Sequence, residues 1–152
     1  MCGKKEVSVM DNPFCKNCDL EKNTDNGNCT RYKSGNGFAI GCAPSWITKK
    51  YRPIELYCGM INGDLKKYRK INYIDLYAGP GKCFKRRSGE MVNGSPLIAL
   101  QYDFDNLYLN DINPDNIKAL SFRTQQNTKK VIIYNKDINF VAREINEKLL
   151  YP

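Results

Sequence analysis

The strongest constraint on the fold is a short apolar run that ends in a glycine turn. Residues 71–78, Ile-Asn-Tyr-Ile-Asp-Leu-Tyr-Ala, are rich in strand formers and stop at Gly79-Pro80-Gly81. Glycine at the end of a buried parallel strand lets a ligand approach the backbone, because no Cβ stands in the way. Gly-Pro pairs also mark ordinary surface turns. The strand before the Gly79-Pro80-Gly81 turn is apolar, however, and this favours a ligand-binding loop.

The spacing of the glycines separates two kinds of nucleotide site. A dinucleotide site needs Gly-x-Gly-x-x-Gly running straight into a helix, whereas Gly81 is followed by Lys-Cys-Phe without a third glycine. Asp75, four positions before Gly79, suits a charged amino group. Asp-x-x-x-Gly-x-Gly therefore indicates an S-adenosylmethionine site. Asp75 would hold the methionine amino group, and the two glycines would admit the backbone to the sulfur and ribose.

Two later apolar runs also end in acidic residues. Residues 107–110 lead to Asp111, and residues 131–135 lead to Asp137. After Asp111, Asn113 and Pro114 are interpreted as the N-cap and the first position of a helix. An acid at the tip of the second strand accepts hydrogen bonds from ribose hydroxyls. Asp137 would accept from an adenine amino group, with Ile138 packing on the ring. Each acid alone is typical of a helix cap, but the series at three successive strand ends favours a ligand site.

These motifs resemble the three-Cys-motif partner (TcmP) family. The resemblance rests on residues 75–83, on Gly-Ser-Pro-Leu-Ile-Ala-Leu at 94–100 and on Leu-Asn-Asp-Ile-Asn-Pro at 109–114, and it covers roughly residues 43–137. It implies a class I methyltransferase-like fold that binds S-adenosylmethionine, and a radical-SAM-like three-Cys-motif protein as partner. The predicted cofactor-binding residues are Asp75, Ala78, Gly79, Gly81, Ser95, Asp111, Ile112, Asp137 and Ile138.

The segment between the glycine turn and the next helix is basic. Residues 84–93 intervene before Ser95 and Pro96, which we interpret as the N-cap and first position of a helix whose start suits the methionine carboxylate. Lys82, Lys85 and an arginine pair at 86–87 predict a basic hairpin or flap over the site. A solvated loop is the alternative.

The predicted fold is α/β, namely the N-terminal half of a Rossmann-like class I methyltransferase sheet after a small Cys-rich segment. Three parallel strands at about 72–77, 107–110 and 131–135 precede a helix at about 137–150, in the order 3-2-1. The first strand then lies at an open, apolar edge, which invites pairing. We expect a missing C-terminal half or a second chain to cover it. No catalytic residue is assigned, because the fourth-strand motif is absent.

We divide the chain into a Cys-rich segment (1–43), a helical connector (44–70) and a partial Rossmann-like domain (71–152). In the connector, Ser45 is the expected helix cap. Pro53 should kink or split the helix, and Asn62-Gly63 should end it.

The Cys-rich segment has metal-ligand spacing. The chain has seven cysteines and no histidine. Cys15-x-x-Cys18 fits half of a tetrahedral zinc site, which Cys29 and Cys42 would complete, with Cys2 as a rival ligand. Reduced cysteines, disulfides and an iron–sulfur cluster are alternatives. Cys58 is interpreted as a buried helix residue. Cys83 is interpreted as a loop thiol with no histidine base to activate it.

Charge and hydropathy restrict partners and location. The net charge is +8, from 24 Lys+Arg against 16 Asp+Glu, and the excess lies mainly in the first 70 residues. This suits a nucleic acid partner. No apolar run reaches 18 residues and the start lacks a signal-peptide core, so a cytoplasmic protein without membrane contact is expected.

Two classes of function remain. One is a methyltransferase-like enzyme, of which this chain alone is expected to be inactive. The other is a non-catalytic module that docks nucleic acid or the radical-SAM-like partner. A dehydrogenase is a distant third.

Overall fold

The computed structural model describes residues 29–33, 36–44, 46–65, 67, 69–85, 88, 90–127 and 130–150. Cys2, Cys15, Cys18, Ser45 and the arginine pair at 86–87 lie outside these residues. The described elements, in chain order, are β1 (Cys29–Lys33), β2 (Ala39–Ala43), α1 (Ile47–Met60), β3 (Asn72–Asp75), β4 (Lys82–Lys85), β5 (Met91–Asn93), α2 (Ser95–Ala99), β6 (Asn106–Asn110), α3 (Pro114–Thr124), β7 (Lys130–Tyr134) and α4 (Ile138–Leu150). A π-helical turn, Ile61–Leu65, follows α1.

The main sheet has three parallel strands in the order β3-β6-β7. Leu107 of β6 is in register with Tyr73 on one side and with Val131 on the other. The predicted α/β fold and the predicted order of its three parallel strands are thus confirmed, and the arrangement is compatible with a Rossmann-like half-sheet. β3 ends at Asp75, two residues earlier than expected, because the chain turns at Leu76.

Alternating side chains give this sheet two apolar faces. Leu107 and Leu109 of β6 pack with Ala99 of α2 and Leu120 of α3 in one core. Tyr108, between them, belongs to a second core with residues of α4. Successive residues of a strand point to opposite faces, so α2 and α3 cover one face and α4 covers the other. The sheet is therefore the middle layer of three.

A second sheet was not predicted. Its order is β1-β2-β4-β5. β2 runs antiparallel to β1 and parallel to β4, and β5 completes a hairpin with β4. The predicted hairpin between the glycine turn and α2 is therefore confirmed. Cys83 lies within β4, opposite Gly41 and Val92, so its interpretation as a loop thiol was wrong: strand pairing on both sides holds it in the sheet.

The connector helix differs from the prediction at two points. α1 runs through Pro53 without being split, and its last α-helical residue is Met60. The chain then continues through Asn62-Gly63 as the π-helical turn, where Asn62 Nδ2 donates to the Cys58 carbonyl at 3.1 Å. Cys58 is buried on α1, as predicted. Along the described residues, no helix combines the length and the apolar character that crossing a membrane requires.

The outer edge of β3 borders an apolar groove. Within the described part of the chain, β3 has a strand neighbour on one side only. Residues of α1 and of β3 line a groove of about 580 Å³ beside this edge. Tyr57 of α1 and Ile74 of β3, which are 62% and 44% exposed, are among them.

Candidate functional site

A cavity of about 620 Å³ lies where the three parallel strands end. Ligands of open α/β sheets bind at the carboxyl ends of the strands, and this cavity takes residues from all three ends. The lining residues are Gly41, Leu76, Tyr77, Gly79, Pro80, Asn110, Asp111, Ile112, Asn113, Asn116, Lys136, Asp137 and Ile138. Of the nine predicted cofactor-binding residues, the cavity therefore unites Gly79, Asp111, Ile112, Asp137 and Ile138.

The two glycines of the turn have different roles. Gly79 and Gly81 have positive φ angles of 61° and 84°. A Cβ on Gly79 would meet open space, so the backbone angle is the reason for glycine there. A Cβ on Gly81 would lie 3.1 Å from Leu120 Cδ1 and 3.4 Å from Leu97 Cγ. Gly81 thus allows α2 and α3 to pack closely against the turn, and it is not among the residues that line the cavity.

Asp111 connects the glycine turn to the start of α3. Its Oδ2 atom accepts from the Gly79 N–H at 2.9 Å. Its Oδ1 atom accepts from the Asn113 N–H at 2.8 Å and from Asn116 Nδ2 at 3.1 Å. Asn113 in turn caps α3 by accepting from the Asp115 N–H, as the sequence predicted. One carboxylate therefore fixes the glycine turn and the adjacent helix relative to each other.

Arg123, near the end of α3, fixes the same turn from another direction. Its guanidinium donates to the Pro80 carbonyl, and burial lowers the pKa of Arg123. Asp111 and Arg123, which both belong to the next βα unit, therefore fix the Gly-Pro-Gly turn. Sequence reasoning missed Arg123, because nothing local links a helix residue to a turn 43 positions earlier.

Asn110 joins the ends of the three strands. It is 2% exposed, and its Nδ2 atom donates to the Leu76 carbonyl at 3.2 Å and to the Lys136 carbonyl at 3.1 Å. Its Oδ1 atom accepts from the Lys136 N–H at 3.2 Å. Asn110 was not predicted as a site residue, although a polar residue at the end of an apolar strand is a signal that the sequence contains.

The rim of the cavity combines an acid with exposed apolar groups. Asp137 is exposed, and its Oδ1 atom accepts from the Asn139 N–H at 2.9 Å, so the carboxylate caps the start of α4. Tyr77 and Ile112 are 77% and 70% exposed, and both line the cavity with the half-buried Ile138. Flat apolar ligand surfaces fit such a rim.

Asp75 and Ser95 form a separate pair. Ser95 Oγ donates to Asp75 Oδ2 at 2.5 Å, and the Tyr77 N–H donates to Asp75 Oδ1 at 3.2 Å. Neither residue, nor the buried Ala78, is among those that line the cavity. Ser95 was predicted to cap α2, which is wrong: Gly94 is the N-cap and no side chain caps the helix. The hydroxyl bonds to Asp75 instead.

Cys83 contacts a tyrosine. Tyr51 Oη lies 3.2 Å from Cys83 Sγ. Burial raises the pKa of both the Cys83 thiol and the Tyr51 phenol, and their proximity raises the pKa of Tyr51 further. Burial therefore disfavours the thiolate form of Cys83, and the thiolate is the form that a nucleophilic cysteine needs.

Two of the four predicted zinc ligands lie in the described residues. Cys29 of β1 and Cys42 of β2 are cross-strand Cα partners. Cys42 is buried in a small core with Ile40 and Phe84. Among the described residues, no group of three or more cysteine or acidic side chains is placed to hold a metal.

Comparison with protein-family models, with curated proteins and with solved structures found no match for the chain.

Proposed function

We propose that the cavity binds the nucleoside part of S-adenosylmethionine, and that the chain is the cofactor-binding part of a methyltransferase-like protein of the three-Cys-motif partner type. The observation that carries this proposal is the convergence of Gly79, Asp111 and Asp137 from three strand ends on one cavity. Asp111 would accept from the ribose. Asp137 would accept from the adenine amino group, with Ile112 and Ile138 against the ring.

The charges around the cavity favour this ligand over a dinucleotide. Asp111 and Asp137 both line it, and the Gly79 N–H already donates to Asp111. The amino group of Lys136 pairs with Glu144 at 2.8 Å. A diphosphate needs free N–H groups and positive charge, and here the Gly79 N–H and the Lys136 amino group are both already bound by acids. The charges and the missing third glycine both argue against a dehydrogenase.

When bound, S-adenosylmethionine supplies an electrophilic methyl group for transfer. The residues of this chain would contribute binding and orientation. Gly79 leaves open space beside the turn. The hydrogen bonds from the turn to Asp111 and from Arg123 to the turn fix its conformation. The paired Asp75 and Ser95 adjoin the same turn and would anchor the methionine part. No residue is assigned to the chemical step.

The open edge of β3 supports a proposal about partners. A strand from a C-terminal half or from a second chain would pair with β3 and cover the groove beside α1. Tyr57 and Ile74 would then lose exposure in hydroxyl-radical footprinting. The radical-SAM-like protein remains a proposed partner on the basis of the family resemblance.

A non-catalytic binding module is the second candidate function. The basic residues of the β4–β5 hairpin favour it, because none of the hairpin's described residues lines the cavity. The net charge of +8 suits nucleic acid. A basic module of this kind would bind RNA or DNA with an affinity that falls steeply with salt.

A structural zinc on Cys15, Cys18, Cys29 and Cys42 is a further proposal. The register that pairs Cys29 with Cys42 supports it, since directly opposed residues of an antiparallel pair are close neighbours. Elemental analysis of the purified chain should find one zinc per chain. A content far below one zinc would reject the site.

Calorimetry with S-adenosylhomocysteine tests the proposed function. The native chain should bind it and should not bind NAD. Asp137→Asn should weaken binding about 10-fold, because asparagine still caps α4 but loses the charge-assisted hydrogen bond. Asp115→Asn is the matched control: Asp115 is an exposed acid near the start of α3, outside the cavity, and its replacement should change nothing. Absence of binding by the native chain, or equal binding of NAD, would reject the assignment.

A further inference from the structure

The outward face of α1 carries three basic residues and the only tryptophan of the chain. Trp46, the N-cap residue, is 55% exposed. Lys49, Lys50 and Arg52 are also exposed. Residues three and four positions apart lie on one face of a helix, so Trp46, Lys49 and Lys50 are neighbours. Arg52 follows Lys49 by three positions on the same side. We call these four residues the basic face of α1.

The stability of α1 does not explain the charges of the basic face. The N-terminal end of a helix carries a partial positive charge, so it favours acidic side chains and disfavours basic ones. The first turn of α1 has no acidic residue, and within this helix, all of which the structure describes, Glu55 is the only acid. None of the three basic residues forms an ion pair with another described residue. Their charges are therefore available to an anionic partner.

The exposed tryptophan narrows the chemistry of that partner. A simple anion or an acidic peptide would use the basic residues alone. A single-stranded nucleic acid presents phosphates to basic side chains and unpaired bases to an aromatic ring, and proteins bind such strands by combining charge with stacking. In a duplex the bases are already stacked on each other. The basic face of α1 therefore fits a single strand better than a duplex.

We propose that the basic face of α1 binds single-stranded nucleic acid, with Trp46 stacking on a base and the three basic side chains contacting phosphates. This inference rests on the nucleic acid partner of the second candidate function and names the surface that binds it. It does not depend on S-adenosylmethionine, because no residue of the basic face lines the cavity at the strand ends.

Fluorescence anisotropy with labelled single-stranded RNA and DNA oligonucleotides tests the inference. The native chain should bind both, and a duplex of the same sequence more weakly. Trp46→Ala should weaken binding about 10-fold, because the stacking contact is lost, whereas Trp46→Phe should retain most of the affinity. Lys49→Gln/Lys50→Gln should weaken binding and reduce the slope of log affinity against log salt by about 1.4, since each phosphate contact on a single strand contributes about 0.7.

A double variant elsewhere on the surface provides the matched control. Lys118→Gln/Lys130→Gln removes two exposed lysines, one on α3 and one at the start of β7, and therefore the same charge. Its affinity and salt slope should match those of the native chain. The tryptophan gives a second readout, because its fluorescence comes from Trp46 alone. Titration with an unlabelled single strand should quench it, in the native chain and in the control alike.

The outcomes separate the inference from both candidate functions. If the native chain binds single strands but the Trp46 and lysine variants bind as tightly as the control, the inference is wrong, and the second candidate function stands on another surface. If the native chain binds no single strand, the inference and that candidate are both wrong, while the cofactor proposal is untouched. Binding to phosphatidylserine vesicles without binding to oligonucleotides would assign the basic face to a membrane surface and would also overturn the inference.

Discussion

At the scale of single residues, the site consists of side chains that also hold the fold together. Asp111 was expected from the sequence as a ribose-binding acid, yet it accepts three internal hydrogen bonds as well. Asp137 likewise caps α4. Each of these acids can therefore be both a ligand-binding residue and a helix cap. An acid at a strand end lies beside the free N–H groups of the next turn and also lines the cavity.

The two glycines of the turn should respond differently to alanine. Gly79→Ala should cost about 1–2 kcal/mol of the free energy of unfolding, because alanine is strained at positive φ. Gly81→Ala carries the same strain, and its Cβ would also press on Leu120 Cδ1 at 3.1 Å. Urea denaturation should therefore show the larger loss for Gly81→Ala. Equal losses, or a larger one for Gly79→Ala, would contradict the packing role of Gly81.

At the scale of elements, the second sheet connects the front of the chain to the glycine turn. β2 pairs in parallel with β4, which begins directly after Gly81. Gly41 of β2 lines the cavity. A Cβ there would lie 3.2 Å from Cys83 Sγ, so glycine lets the two strands approach at this point. The Cys-rich segment therefore contributes a residue of β2 to the wall of the candidate site.

Removing the core of the second sheet should destabilise the fold measurably. Phe84 is fully buried with Ile40 and Cys42. Phe84→Ala should lower the free energy of unfolding by about 3–5 kcal/mol, since it leaves a cavity. Phe122→Ala is the control: Phe122 stacks on Phe38 but is 41% exposed, so its loss should be smaller. Thermal and urea denaturation measure both. A loss for Phe84→Ala no larger than that for Phe122→Ala would show that the second sheet contributes little.

The sequence predicted what depends on local pattern and missed what depends on distant pairing. The apolar runs at 107–110 and 131–135, the Asn113 cap and the buried Cys58 each carry a signal within a few residues. The pairing of Gly41 with Cys83 and the bond from Arg123 to Pro80 join positions about 40 residues apart, and no periodicity reveals them. Ser95 has the right residue type for a cap, but it is the first residue of α2 after the N-cap Gly94, and its hydroxyl donates to Asp75.

At the scale of the whole molecule, buried phenol and thiol groups link stability to pH. Burial raises the pKa of Tyr51 and Tyr73 above the ordinary 10.0, and that of Cys58 and Cys83 above the ordinary 9.0. The folded chain therefore keeps protons that the unfolded chain releases at alkaline pH. Stability contributed by a group with a raised pKa is lost as the pH rises above its unfolded value.

Alkaline conditions should destabilise the chain. The contribution of these four groups to the free energy of unfolding should be nearly independent of pH up to about pH 8. It should fall progressively above pH 9. Tyr51→Phe should make the fall shallower, because one of the groups no longer titrates. Urea denaturation at a series of pH values between 7 and 10.5 measures both curves. A stability that is flat or rises across pH 9–10.5 would contradict the burial of these groups.

Amide NMR during a titration with S-adenosylhomocysteine tests the claim that the three strand ends form one ligand site. The amide signals of Gly79, Ile112 and Ile138 report on the ends of β3, β6 and β7 respectively. They should shift together with a single dissociation constant, while the amides of Gly59 and Ile61 near the end of α1 stay in place. No shift at saturating ligand, or shifts at one strand end alone, would contradict the claim.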